Sequence, residues 1–192
     1  MYQPDKYQQM ALKTWYSPDD PRYLDPRHPL IKLAGEAGEI LDLYGKHEYK
    51  PGFNWFDCKT CGQVSDDIFH GAEPNSHAYA PKVLDELGDY SYYLRIVSFQ
   101  QGYSFEKLCS GYHVGLWKSR ETDMLLSWMN IESANILNSY LQFNTLPLFD
   151  KLRNCAWYLL AILRNLNVEL EQVIQLNYAK LNSEPTAHGW KR

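Results

Sequence analysis

Apolar residues return every three to four positions along most of this chain, the period of an amphipathic helix. In residues 29–47, Leu30, Leu33, Ala37, Ile40, Leu41 and Tyr44 lie on one stripe. In residues 81–101 the same test selects Val83, Leu87, Tyr90, Leu94 and Val97, with Gly102 placed where a helix stops. Further helical runs are expected at 7–15, 105–117, 124–143, 146–166 and 168–181, with Ser104 and Asn167 as N-caps. The pattern predicts an all-α helical bundle whose short links make antiparallel neighbours.

Residues 48–80 break the pattern. They hold Pro51, Gly52, Gly62, Gly71 and Pro74, keep no sustained period, and read as a long irregular insertion. Aromatics such as Phe53, Trp55 and Phe56 offer one way to pack it down. Residues 182–192 read as a loose end.

The chain also resembles itself. Residues 84–94 (LDELGDYSYYL) align with 149–159 (FDKLRNCAWYL) at an offset of 65, and residues 36–41 (EAGEIL) align with 132–137 (ESANIL). The apolar pattern repeats, but Glu39, Glu86 and Asp89 become Asn135, Lys151 and Asn154. The expected organisation is a single domain over 1–192. A first unit spans 28–119 and contains the insertion 48–80; a second, degenerate unit spans 124–182.

Composition narrows the function classes. The formal net charge is -4 over 192 residues, which offers no basic excess for nucleic acid or an anionic membrane. The longest nearly apolar stretch, 155–163, is far short of the roughly 20 residues that span a bilayer. The first residues lack the apolar core of a secretory signal, so a cytoplasmic chain with reduced cysteines is expected. Cys109 and Cys155 then read as small core residues.

Glu36 and Glu39 are three apart on the first long helix, and Glu86 and Asp89 are three apart on the second. Both pairs border the apolar stripe, whereas solvated acids lie opposite it. Carboxylates gathered at a bundle core repel and lose solvation unless a cation joins them. The set is all oxygen, with no His following a Glu by three as di-iron bundles require, so Mg2+ or Mn2+ fits better than iron. Mg2+ is commonly completed by substrate phosphates. Gly35, Gly38 and Gly88 add to the reading, because glycines inside helices cost about 1 kcal/mol each and often mark close packing or ligand access.

The run 32–40 (KLAGEAGEI) followed by 85–90 (DELGDY) resembles the Glu-x-x-Glu and Glu-x-x-Asp signature of MazG-like nucleoside triphosphate pyrophosphohydrolases, the all-α NTP pyrophosphatase superfamily. Residues 7–14 (YQQMALKT) resemble the first helix of small members, many of them bacteriophage-encoded, and 177–181 (NYAKL) the closing helix. The resemblance implies a helical bundle that binds Mg2+ through Glu36, Glu39, Glu86 and Asp89. It implies cleavage of a nucleoside triphosphate to monophosphate and pyrophosphate by a metal-activated water, oriented or deprotonated by Glu39. It also names Lys46, Asn177 and Lys180 as candidates for phosphate or base contacts. The chain departs from the family in three ways: 46 residues separate Glu39 from Glu86, Gly35 stands where a further acid is common, and the second unit offers an internal substitute for a partner subunit. A monomer or a homodimer is then expected. A dUTPase-like or dCTPase-like member of the superfamily, and a nucleotide-binding scaffold without turnover, are the competing readings.

Cys58-Lys59-Thr60-Cys61-Gly62 has the shape of a zinc knuckle, and His70 with His77 completes a tetrahedral set for structural Zn2+. An unliganded loop is the alternative.

Overall fold

The computed structural model describes residues 3–58, 62, 81–112, 121–146 and 149–183. Among these it is all-α: α1 Lys6–Leu12, α2 Arg27–Tyr49, α3 Lys82–Gln100, α4 Phe105–Cys109, α5 Thr122–Phe143, α6 Phe149–Asn165 and α7 Leu170–Ser183. A short 3-10 turn, Pro21–Tyr23, lies between α1 and α2. The all-α expectation holds.

Packing follows the apolar stripes. Helix α2 lies between α3 and α5, α5 packs on α6, and α7 closes over α3, while α1 rests on α3 and α4 on α6. Leu30, Leu33, Ala37 and Ile40 of α2 are buried against Val83, Leu87, Tyr90, Leu94 and Val97 of α3 in one continuous core. Cys155 belongs to that core, whereas Cys109 is partly buried at its edge. Some of the polar groups inside are paired across helices. Tyr90 and Ser133 hydroxyls meet at 3.0 Å between α3 and α5, and the buried Gln8 donates to Ser98 and to the Tyr103 carbonyl, pinning α1.

Helix ends explain where the sequence expectations shift. Asp5 and Gln8 form a reciprocal capping box that starts α1 one residue earlier than expected. Ser104 caps α4 as expected, accepting from the Lys107 N–H. That helix stops at Cys109, well short of residue 117, because Ser110 is extended and Gly111 turns left-handed at φ 73°. Gly102 ends α3 with φ 71°. Asn167 is not an N-cap. It takes φ 56° at the end of α6, with Val168 N–H bonded to the Leu163 carbonyl and its own N–H to that of Arg164. That is a Schellman termination, which asparagine tolerates better than most residues.

The described part of the insertion is packed. Trp55 is buried, Phe53 and Phe56 lean on the core, and the Trp55 and Asp57 carbonyls accept from Val83 and Lys82. Residues 55–57 are thereby held against the first turn of α3. No described helix is long and apolar enough to cross a membrane.

Candidate functional site

Burying the stripes of α2 and α3 brings their acidic edges together. One carboxylate oxygen from each of Glu36, Glu86 and Asp89 lies within 4.8 Å of the other two. Glu36 is only 6% exposed. Among the described residues its one ion pair is with Lys32, one turn earlier at 3.9 Å, and it forms no hydrogen bond there. Burial, followed by the charges of Asp89, Glu39 and Glu86, pushes its carboxyl up to about 8. A buried carboxyl facing two others fits a hard divalent cation, which would favour the ionised form that burial and the neighbouring charges disfavour.

The four acids of the signature are not equivalent. Glu39 is exposed and stands outside the three-acid cluster, although its charge still reaches Glu36. Three residues along a helix leave a side chain about 60° away from its predecessor, enough to take Glu39 out of the cluster.

The closing helix supplies the next layer. Asn177 Nδ2 donates to Asp89 Oδ1 at 2.6 Å, and Lys180 Nζ donates to Asp89 Oδ2 at 2.7 Å and to Asp85 Oδ1 at 2.9 Å. Burial opposes the Lys180 charge, but Asp89 and Asp85 outweigh it and hold the ammonium above the usual lysine range. Gly88 makes this approach feasible: a Cβ there would lie 3.0 Å from the Asn177 Cβ. Gly35 has open space around it and Gly38 only ordinary contact, so close packing accounts for one of the three glycines.

Lys46 is elsewhere. It pairs with Asp42 on the surface of α2, ten residues and about 15 Å along the axis from Glu36. In the zinc set, Cys58 is buried and forms a β-bridge with Pro81, while Cys61, His70 and His77 lie outside the described residues. A cavity of about 510 Å3, lined by Tyr44, His47, Trp55, Phe56 and acids including Glu121 and Asp123, opens near the end of α2. None of the clustered acids lines it. Trp15 and Tyr92 pack together in a second small core with Ala11 and Ile96, whereas Trp117 lies outside the described residues.

One residue beside the cluster, Asp85, escaped the sequence reading. Asp85 is buried and lies one turn before Asp89, a spacing visible in the sequence but masked by the adjacent Glu86. The Tyr93 hydroxyl is held well above the usual tyrosine range, first by burial and next by Glu36. Tyr93 lies four residues after Asp89 on the same face.

The arrangement can hold one divalent cation at the α2–α3 edge, beside a lysine and an asparagine amide. No family model, curated protein or solved structure matches the chain.

Proposed function

We propose that this protein is a Mg2+-dependent or Mn2+-dependent nucleoside triphosphate pyrophosphohydrolase of the MazG-like kind, converting a nucleoside triphosphate to monophosphate and pyrophosphate. The observation that carries the reading is the convergence of Glu36, Glu86 and Asp89 oxygens within 4.8 Å. The acids come from the two helices that bear the Glu-x-x-Glu and Glu-x-x-Asp pairs, and oxygen donors of this kind suit a cation whose shell is completed by phosphates. A divalent ion held there supplies polarisation of a phosphoryl oxygen and a more acidic water.

The chain's own residues divide the remaining work. Glu36, Glu86 and Asp89 are the ligands in this reading. Glu39, exposed and close enough to influence Glu36, orients or deprotonates a water at the solvent side in this reading. Asn177 and Lys180 act first on Asp89. Lys46 carries no role, since it is occupied with Asp42 far along the helix.

The test is incubation with Mg2+ and a panel of ribo- and deoxyribonucleoside triphosphates, with product identification by chromatography. Monophosphate plus pyrophosphate is expected, falling at least about a hundredfold in Glu36→Gln with helical content retained. Turnover unchanged in that variant, or none with either ion, overturns the reading. In the latter case the nucleotide-binding scaffold takes its place, and the exposure of Glu39 is the observation that favours it.

A further inference from the structure

The cavity of about 510 Å3 near the end of α2 has the size of a small-molecule site and shares no residue with the acid cluster. Four rings line it. His47 stacks on Trp55 at 5.3 Å with the planes 10° apart, and Tyr44 and Phe56 meet Trp55 at steep angles, 5.2 and 5.7 Å away. Trp55 is only 3% exposed, yet its indole N–H is buried without a hydrogen-bond partner among the described residues, as is Nδ1 of His47. The carboxylates of Glu48, Glu121 and Asp123 also line the cavity, are exposed, and do not turn in to accept from the indole. Among the described residues none of the three forms an ion pair. Their charges do converge on Tyr44: burial first, and then charges that include Glu48, Asp123 and Glu121, raise its hydroxyl above the usual tyrosine range.

Helix stability does not account for all three acids. Glu121 and Asp123 open α5, where negative charge suits the helix dipole, but Glu48 sits in the last turn of α2, where it opposes the dipole. The end of α6 adds Asn165 and Leu166 to the lining. The negative ends of two helices therefore meet three carboxylates around one cavity, and among the described residues no lysine or arginine lines it. Such a lining repels phosphate. It does not chelate a small metal ion either, because no three of these acids and His47 gather as the cluster on α2 and α3 does. Separated carboxylates and aromatic faces match a cation too large to be chelated, whose charge sits on an alkylated or hydrogen-bearing nitrogen. We propose that this cavity binds a small organic ammonium ion, held over the rings of Tyr44, His47 and Phe56 on a floor made by Trp55 and balanced by Glu48, Glu121 and Asp123. The proposal does not rest on the metal-site reading.

The test is calorimetric titration of the whole chain with choline, with spermidine, and with the neutral alcohol in which carbon replaces choline's nitrogen. At least one of the two cations is expected to bind, and choline, where it binds, at least about tenfold more tightly than the alcohol of the same shape. Choline binding assigns the site to an alkylated nitrogen, and binding of spermidine alone assigns it to primary amines; both support the proposal. Neutralising the rim in the double variant Glu121→Gln/Asp123→Asn is expected to weaken binding at least about tenfold. Both positions are exposed at the start of α5. Glu48→Gln, on the other helix, is a second route to the same answer: it weakens binding several-fold without lowering thermal stability, since it removes a charge set against the dipole of α2. Binding of neither cation, equal binding of choline and the alcohol, or affinity unchanged in both rim variants overturns the proposal. Displacement of the bound cation by saturating Mn2+ overturns it as well, because it places that cation at Glu36, Glu86 and Asp89 instead. None of these results touches the pyrophosphohydrolase reading, which stands on turnover.

Discussion

The two helix pairs that align in sequence handle their acids in contrasting ways. In α2 and α3, Glu36 faces Glu86 and Asp89, with only a distant lysine on its own helix. In α5 and α6, the aligned Glu132 faces Lys151, which stands where Glu86 stands in the first pair, and the two form an ion pair at 3.0 Å. The second pair meets its acid with a lysine on the facing helix, whereas in the first the lysine that reaches Asp89 comes from α7. A similar exchange occurs one helical step away. Gly88 clears space for Asn177 of α7, whereas the aligned Arg153 fills its own space, with its guanidinium over Trp157 and paired to Asp150. The aligned acid thus meets a lysine in one half and two further acids in the other.

The sharpest way to break this contrast is to transplant it. Glu86→Lys gives the first pair the arrangement of the second, and should abolish Mn2+ binding and lower nucleotide turnover at least about a hundredfold while the fold survives. Measurable turnover near the wild-type rate would remove the contrast altogether.

A pH scan of metal-free stability sharpens it next. Glu36 has a folded pKa raised to about 8 from an ordinary 4.5, so its contribution is fully present below pH 4.5 and is lost as pH rises towards 8. Wild-type stability should fall across that window by on the order of a few kcal/mol relative to Glu36→Gln, and saturating Mn2+ should reverse the fall. Parallel stability curves for the two proteins would show that the cluster does not exert this strain.

Gly88→Ala tests the clearance. The added methyl pushes against Asn177 Cβ, and about 1–3 kcal/mol of stability should be lost in chemical denaturation. Gly35→Ala, made in open space, should gain about 0.5–1 kcal/mol. Equal effects at the two glycines would contradict the close approach of α7.

The smallest effect belongs to the second pair. Lys151 is half exposed, so Lys151→Met should cost no more than about 1 kcal/mol, with most of the difference erased in high salt.

Much of this molecule was legible beforehand in its periodicity. The stripes Leu30, Leu33, Ala37, Ile40 and Val83, Leu87, Tyr90, Leu94 are the ones buried, because a 3.6-residue repeat specifies which side of a helix leaves water. Gly102 and Ser104 were readable as helix punctuation, since each acts through its own backbone and near neighbours. Asn167 was misread for a related reason. Asparagine serves both as an N-cap and as a left-handed terminator, and the choice depends on bonds made back to Leu163 and Arg164.

At the acids, local pattern reached its limit. Spacing of three places Glu36 beside Glu39 and Glu86 beside Asp89, and it puts all four near an apolar edge. It does not say how far each helix is rotated about its axis in the bundle, and that rotation, set by core packing, leaves Glu39 in solvent and turns Glu36 inward. Nor does it join Lys180 to Asp85 and Asp89, which lie 95 and 91 residues away. That contact exists because a glycine in α3 lets α7 come close. Helix type, stripe and the supply of carboxylates are properties of short stretches of chain. Which carboxylates converge, and which cation each one meets, depends on how separate stretches pack.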